Sequence, residues 1–314
     1  MLAELFAVMA PVLFGAGVGY VWVRLGHAYP TEFVSRIVFN IGSPCLILAT
    51  LAHTRVDLHS FGRMALASAL ICVCMAALGW AAARLGRQEW QVLVPAYSFP
   101  NVGNMGLPVC LYAFGEAGMT LAVAFYLIMS IGNFSLGVFW MSGERSWRSL
   151  LGNPILLSVL LALLLMGLDL QLPRWMANTV DLMAGLTIPL MLITLGVSLA
   201  SIRPRQLGNG FFYGGLRLLL GALVGWSVAL ALQLPPLAQG VLVVQSSMPV
   251  AVFNYLYALR GNRSPDQVAS LVLCSTLLSF AFIPLLLTWW LPALRGPRGG
   301  AQRAGSRCPS GSDC

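Results

Sequence analysis

Apolar stretches of about 20 residues follow one another along almost the whole chain, separated by short polar connections. A helix of this length crosses the hydrocarbon core of a bilayer, and a helix satisfies its own backbone hydrogen bonds in lipid. The pattern therefore predicts an all-α integral membrane protein with ten transmembrane helices. The predicted spans are about 4–23, 32–53, 61–83, 92–114, 118–141, 150–168, 178–200, 210–232, 238–259 and 267–292.

The composition agrees with a membrane protein. Of 314 residues, 58% are hydrophobic and 9% are charged, whereas soluble domains carry about 25% charged residues. The net charge of +8 comes from arginines in short loops, which is typical of membrane topology and not of nucleic-acid binding. The N-terminal apolar run follows Glu4 without a preceding basic residue, so we expect a first span there and not a signal peptide.

The arginines also predict an orientation. With the N-terminus outside, the inner loops hold nine arginines and the outer loops three, which favours that orientation because basic residues stay cytoplasmic. An even number of spans then places the C-terminus outside as well. The C-terminal tail adds four arginines to the outer side, which reduces the difference to nine against seven. Residues 1–292 are predicted to form one transporter domain in the cytoplasmic membrane. Residues 293–314, rich in Gly, Arg and Ser, are predicted to be a disordered tail.

Short sequence matches recur in order at nearly one offset. The segment from Val92 to Pro100 matches that from Val241 to Pro249 at five of nine positions. Other short matches at offsets of 144 to 146 join spans two and three to spans seven and eight. We interpret the chain as a duplication, with one repeat at 1–142 and the other at 147–292. Because five helices per repeat is an odd number, the second repeat would be inverted in the bilayer, as in many alternating-access transporters.

Two spans are broken by polar residues and proline. Span four contains FPNVGNMGLP from Phe99 to Pro108, and span nine contains QSSMPVAVFN from Gln245 to Asn254. Proline removes a backbone donor and glycine weakens a helix, so neither segment can be a regular lipid-facing helix. Paired breaks in inverted halves indicate a substrate site near the midplane. The predicted substrate-binding residues are Asn101, Asn104, Pro108, Ser246, Ser247, Pro249 and Asn254.

Few charged residues fall within the predicted spans. Arg217 in span eight could assist with an anionic substrate, although snorkelling to the interface is the simpler interpretation. Asp181, near the start of span seven, could relay protons, although an interface or capping role is simpler. Polar Ser130, Asn133 and Ser135 in span five are interpreted as helix-to-helix hydrogen-bonding residues, with lining of a pathway as the alternative. We find no catalytic, metal-binding or cofactor motif, so the chain is not predicted to be an enzyme and no cofactor is expected.

The motifs resemble those of the auxin efflux carrier family. The resemblance rests on FPNVGNMGLP, on SSMPVAVFNYLYA from Ser246 and on SPD from Ser264, and it covers about residues 5–292. It implies two inverted five-helix repeats, with helices four and nine crossing at their breaks beside the substrate. Carried over by position, Pro108 would be the proline at the crossing in helix four. It further implies a scaffold of helices 1, 2, 6 and 7, often a dimer interface, so that a homodimer is a candidate assembly. Plant members have a second proline where this chain has Asn254.

The function predicted from these observations is a secondary transporter that moves a small organic anion, such as a carboxylate, by alternating access. A coupling proton or sodium ion is a possible partner, and the lipid bilayer is the environment. A sodium-coupled symporter of the bile-acid type remains an alternative, distinguished by sodium-dependent uptake. A channel is a further alternative, distinguished by conductance without saturable counterflow.

Overall fold

The computed structural model describes residues 2–53, 58–137, 140, 152–168, 170, 172–202, 206–261 and 263–294. Nearly all of these residues are helical. The helices are α1 Leu2–Arg24, α2 Thr31–Ile37, α3 Ser43–His53, α4 Leu58–Gly86, α5 Trp90–Ser98, α6 Leu107–Gly132, α7 Pro154–Gly167, α8 Arg174–Ser201, α9 Leu207–Ala231, α10 Pro236–Ser246, α11 Val252–Gly261 and α12 Pro265–Leu294. The prediction of an all-helical chain is confirmed for the described part.

Most helices begin and end within a few residues of the predicted spans. Gly115 has a positive φ of 68° and divides α6 where the fourth and fifth spans were expected to meet. By length and composition, seven helical stretches of the described residues are suited to crossing a membrane. The others are shorter or interrupted, so the count of ten spans stays a prediction. The predicted tail from 295 onward lies outside the described residues.

Three short π-helical turns interrupt or extend the helices, at Val38–Gly42, Val102–Gly106 and Asn133–Gly137. The first two precede Pro44 and Pro108, respectively. A proline in a regular helix clashes with the carbonyl four residues earlier and offers it no hydrogen bond. Widening of the preceding turn relieves this clash, and such π-bulges are frequent at functional sites.

Small residues allow close contact between helices within two groups. In the first group α1 packs along α8, where a Cβ atom on Gly19 would overlap the carbonyl oxygen of Ile193. In the second group α9 packs along α10 and α12, where a Cβ on Gly221 would overlap the carbonyl oxygen of Ser246. Close approach through small residues is how helices associate in lipid, because apolar area alone gives little preference for protein over acyl chains. The second group places the break after α10 against α9.

Candidate functional site

The two broken segments cross and pair through their backbones. The N–H of Asn101 donates to the carbonyl oxygen of Pro249 at 2.7 Å, and the N–H of Ala251 donates to that of Phe99 at 3.4 Å. These bonds form an antiparallel bridge between Pro100 and Val250, the single bridge among the described residues. The nine residues of α5 and the eleven of α10 correspond to about 14 and 17 Å at 1.5 Å per residue. Each length is about half of the thickness of a bilayer core, which is about 30 Å.

Asn254 ties the end of α5 to the beginning of α11. Its side chain is fully buried, and its Nδ2 donates to the carbonyl oxygens of Phe99 at 3.3 Å and Pro95 at 3.5 Å. The Phe99 carbonyl lies past the last residue of α5 and lacks an intrahelical donor, whereas the Pro95 carbonyl also accepts the Phe99 N–H. The amide adds a hydrogen bond to each carbonyl in an apolar interior. Asn254 therefore holds the crossing together from the side of the first break.

Arg217, on α9, has the corresponding role at the end of α10, where it binds backbone carbonyls. Its Nη1 donates to the carbonyl oxygen of Ser246 at 3.1 Å and to that of Met248. The side chain is only 1% exposed. The expectation that it snorkels to the interface is wrong, because the open carbonyls at the break offer the guanidinium acceptors within the protein.

A small pocket of about 40 Å³ lies beside the crossing. Its walls contain no charged residue and are formed by Phe39, Phe99, Pro100, Asn101, Val102, Gly103, Asn104, Tyr126, Met129, Ser130, Asn133, Ala251 and Phe253. The three π-helical turns converge here, since Phe39, Asn104 and Asn133 each belong to a different one. The volume is enough for a few waters or for the oxygens of a carboxylate group.

Several polar groups at the pocket have no hydrogen-bond partner among the residues that the structure describes. Asn101 is 5% exposed, and neither its Nδ2 nor the Oδ1 of Asn133 finds a hydrogen-bond partner within the described part of the chain. The first N–H groups of a helix also lack intrahelical acceptors, and here they belong to Gly103 and Asn104, because Met105 and Gly106 already donate to the Asn101 carbonyl. The unsatisfied donors at Asn101, Gly103 and Asn104 and the positive end of a helix dipole favour a bound anion. The Asn133 Oδ1 is an acceptor and does not contribute to this preference.

Two larger cavities lie next to this pocket, on the side where α2 begins. One, of about 210 Å³, is lined by Asn104 together with residues of α2, α8 and α11. The other, of about 380 Å³, is lined by α2, α11 and the π-helical turn Val38–Gly42. We call these two cavities the vestibule. Phe253 lines both vestibule cavities and the pocket, so its side chain lies between them.

The predicted site residues separate into two groups. Asn101 and Asn104 line the pocket. The others do not: Pro249 accepts the bridging bond from Asn101, while the hydroxyls of Ser246 and Ser247 donate to helix carbonyls of Gly221 and Val243. These serines therefore stabilise helix packing and the end of α10.

Pro108 and Asp181 also lie away from the pocket. Pro108 is in the first turn of α6, after the π-helical turn, whereas the crossing is at Pro100. The resemblance had suggested Pro108 as the crossing proline, but its structural effect is to widen the turn that carries Asn104. Asp181 is exposed on α8, seven residues after the helix begins at Arg174. The capping interpretation for Asp181 is wrong, because a cap acts within the first turn.

Sequence reasoning missed part of the pocket wall. Phe39, Tyr126 and Phe253 are apolar or aromatic residues within apolar spans, and nothing in their spacing distinguishes them from packing residues. Asn133 could have been identified from the sequence, because it is an amide side chain within an apolar run. It was interpreted first as a helix-packing residue, and the structure places it at the pocket instead.

Comparison with known proteins gives concordant results. A family model described as "Membrane transport protein" matches residues 5–145 and 137–287. An uncharacterized transporter of Methanothermobacter thermautotrophicus is 28% identical over 269 residues, covering 80% of this chain and 86% of that protein. An uncharacterized transporter of Methanocaldococcus jannaschii is 23% identical over 283 residues, covering 83% of this chain and 89% of that protein.

Proposed function

Because the chain belongs to the membrane transport protein family of auxin efflux carriers, we propose that it carries a small organic anion across the cytoplasmic membrane by alternating access. The substrate class is a carboxylate, held at the pocket beside the crossing of the two breaks. The observation that carries this proposal is the set of open donors at a charge-free, buried pocket: the Asn101 amide and the first N–H groups of the following helix.

Leaving these buried donors without a hydrogen-bond acceptor costs free energy. A buried amide without a partner costs about 1–3 kcal/mol, whereas a hydrogen bond to a charged group contributes about 1.5–3 kcal/mol. Hydrogen bonds from these donors to a carboxylate would therefore contribute more binding free energy than hydrogen bonds to water. An inorganic cation would meet the positive end of the helix, which is unfavourable.

The vestibule supports alternating access. It lies beside the pocket on the side where α2 begins, and in the predicted orientation with the N-terminus outside this side is cytoplasmic. Thr31 at the beginning of α2 and Ser201 at the end of α8 line it. We propose that this conformation is inward-facing, with the Phe253 side chain separating the vestibule from the substrate pocket.

We further propose that the fold is ten transmembrane helices in two inverted repeats of five. The supporting feature is that the two breaks occur at matching positions and pair antiparallel with one another through Pro100 and Val250. An antiparallel pair of equivalent segments is what an in-plane pseudo-two-fold axis would generate at the centre of the membrane.

The test is uptake of radiolabelled carboxylates, with malate and malonate as the first probes, into proteoliposomes of the purified protein. Uptake should saturate, should be competed by unlabelled substrate and should show counterflow. Asn101→Ala should reduce it, and Leu161→Ala, on an exposed face of α7, should not. Absence of saturable uptake for the whole carboxylate panel, with a folded protein, would refute the substrate class.

A further inference from the structure

A buried arginine without an acidic partner is unusual at the centre of a membrane protein. Arg217 is among the most deeply buried large side chains, and no acidic residue of the described part of the chain forms an ion pair with it. Burial of an uncompensated charge is strongly unfavourable, and intramembrane charges are generally retained for a function. The compensation here comes from backbone carbonyls, at Ser246 and Met248.

These carbonyls are available because α10 is broken. In a continuous helix the carbonyl of Ser246 would accept the N–H of Val250, but that N–H donates instead to the Ser275 hydroxyl at 3.0 Å. The end of a helix also carries the negative end of its dipole. Open carbonyls at the C-terminal end of a half-helix are the groups that bind a coupling sodium ion in broken-helix transporters.

The two breaks differ in how their carbonyls are satisfied. The neutral Asn254 amide donates hydrogen bonds to the carbonyls at the end of α5, whereas the Arg217 guanidinium donates to those at the end of α10. At the repeat offsets of 144 to 149, positions 68–73 correspond to Arg217, and they contain no charged residue. The positive charge is therefore a specific feature of the second break and is absent from its counterpart.

We infer that Arg217 is a built-in cation, a positioning residue whose guanidinium takes the place of a bound metal cation at the end of α10. It satisfies the Ser246 and Met248 carbonyls and thereby fixes the segment that pairs with Asn101. The Met248 carbonyl that it binds belongs to a residue three positions before Ala251, which lines the proposed anion pocket. The inference extends the proposed function, but its test needs no substrate.

The experiment compares Arg217→Lys, which keeps the charge, with Arg217→Gln, which keeps a donor without charge, and with Arg217→Ala. Leu219→Ala, on an exposed face of α9, is the matched control. Amide hydrogen exchange in the segment 247–254 reports the crossing, and a thermal unfolding midpoint reports the whole protein. Arg217→Ala is also measured with millimolar guanidinium and, separately, with the same concentration of urea, a neutral molecule of similar shape.

We expect exchange in 247–254 to rise about ten- to a hundredfold in the Gln and Ala variants, because bonds to a charged donor are lost. The Lys variant should stay closer to the parent, and guanidinium, but not urea, should restore protection to the Ala variant. Equal behaviour of the Lys and Gln variants, including equal failure to fold, would overturn the inference, as would rescue by urea. A wrong substrate class would leave these results unchanged.

Discussion

Replacing Asn101 by alanine should weaken substrate binding while leaving the protein stable. The Asn101 Nδ2 has no partner within the described structure, and its side chain makes no cap hydrogen bond. Its loss therefore removes no hydrogen bond within the described structure. Removal of a buried, unsatisfied amide stabilises the protein, and this offsets the destabilisation by the small cavity that remains. We expect the unfolding midpoint to change by less than about 2 °C.

The expected loss of affinity follows from the bond that the amide would make. A hydrogen bond to a charged group contributes about 1.5–3 kcal/mol, and each 1.4 kcal/mol changes the dissociation constant about tenfold. Asn101→Ala should therefore raise the dissociation constant by about ten- to a hundredfold. The measurement is a ligand-induced shift of the unfolding midpoint, titrated with the best substrate from the uptake screen.

Asn254→Ala is the informative comparison, because Asn254 does make hydrogen bonds within the protein. Its amide donates to Phe99 and Pro95, so each lost bond should cost about 1 kcal/mol and the midpoint should fall by about 2–6 °C. Asn254 does not line the pocket, so its effect on affinity should be smaller than that of Asn101. Unchanged affinity together with a lowered midpoint in Asn101→Ala would refute this assignment of roles.

Three other substitutions and one topology measurement test the remaining proposals. Pro108→Ala should let the preceding turn revert towards regular helix and move Asn104, so initial uptake rates should fall more than expression; a parental rate would contradict this. Phe253→Ala should widen the passage from the vestibule and raise uptake of bulkier carboxylates relative to small ones; an unchanged ratio would show that the ring is not a barrier. Asp181→Asn should retain substantial uptake, because Asp181 lies outside the pocket, and complete loss with normal expression would contradict that. A reporter fused after Leu294 should be external, and a cytoplasmic signal would exclude the predicted topology.

The sequence predicted the positions of the helices well, because hydrophobicity over 20 residues reports directly on the solvent around a segment. It also located both breaks, because proline and glycine act on the backbone wherever they occur. Arg217 shows the limit of this reasoning. Whether a long charged side chain reaches the interface or turns inward depends on acceptors from another helix, and those acceptors, the Ser246 and Met248 carbonyls, are known only once the chain is folded.

The composition of the pocket shows the same limit. Asn101 and Asn104 belong to the break itself, so a local motif was enough to propose them. Phe39 and Asn133 reach the pocket from distant parts of the chain through π-helical turns. The turn at Asn133–Gly137 is not followed by a proline in residues 138–150 of the sequence, and no local rule predicts it. Such residues could be recognised only from the packing of helices.

The bridge between Pro100 and Val250 uses main-chain atoms alone, and this affects how such a protein can diverge. Side chains at 101, 104 and 133 can be exchanged without removing either bridging hydrogen bond, so substrate preference can change while the crossing is preserved. Deletion of one residue from either break has a different consequence. In paired extended segments a slip of one residue turns each side chain to the opposite face, so the Asn101 amide next to the bridge would turn away from the pocket. These segments should therefore tolerate substitutions across the family far more readily than changes in length.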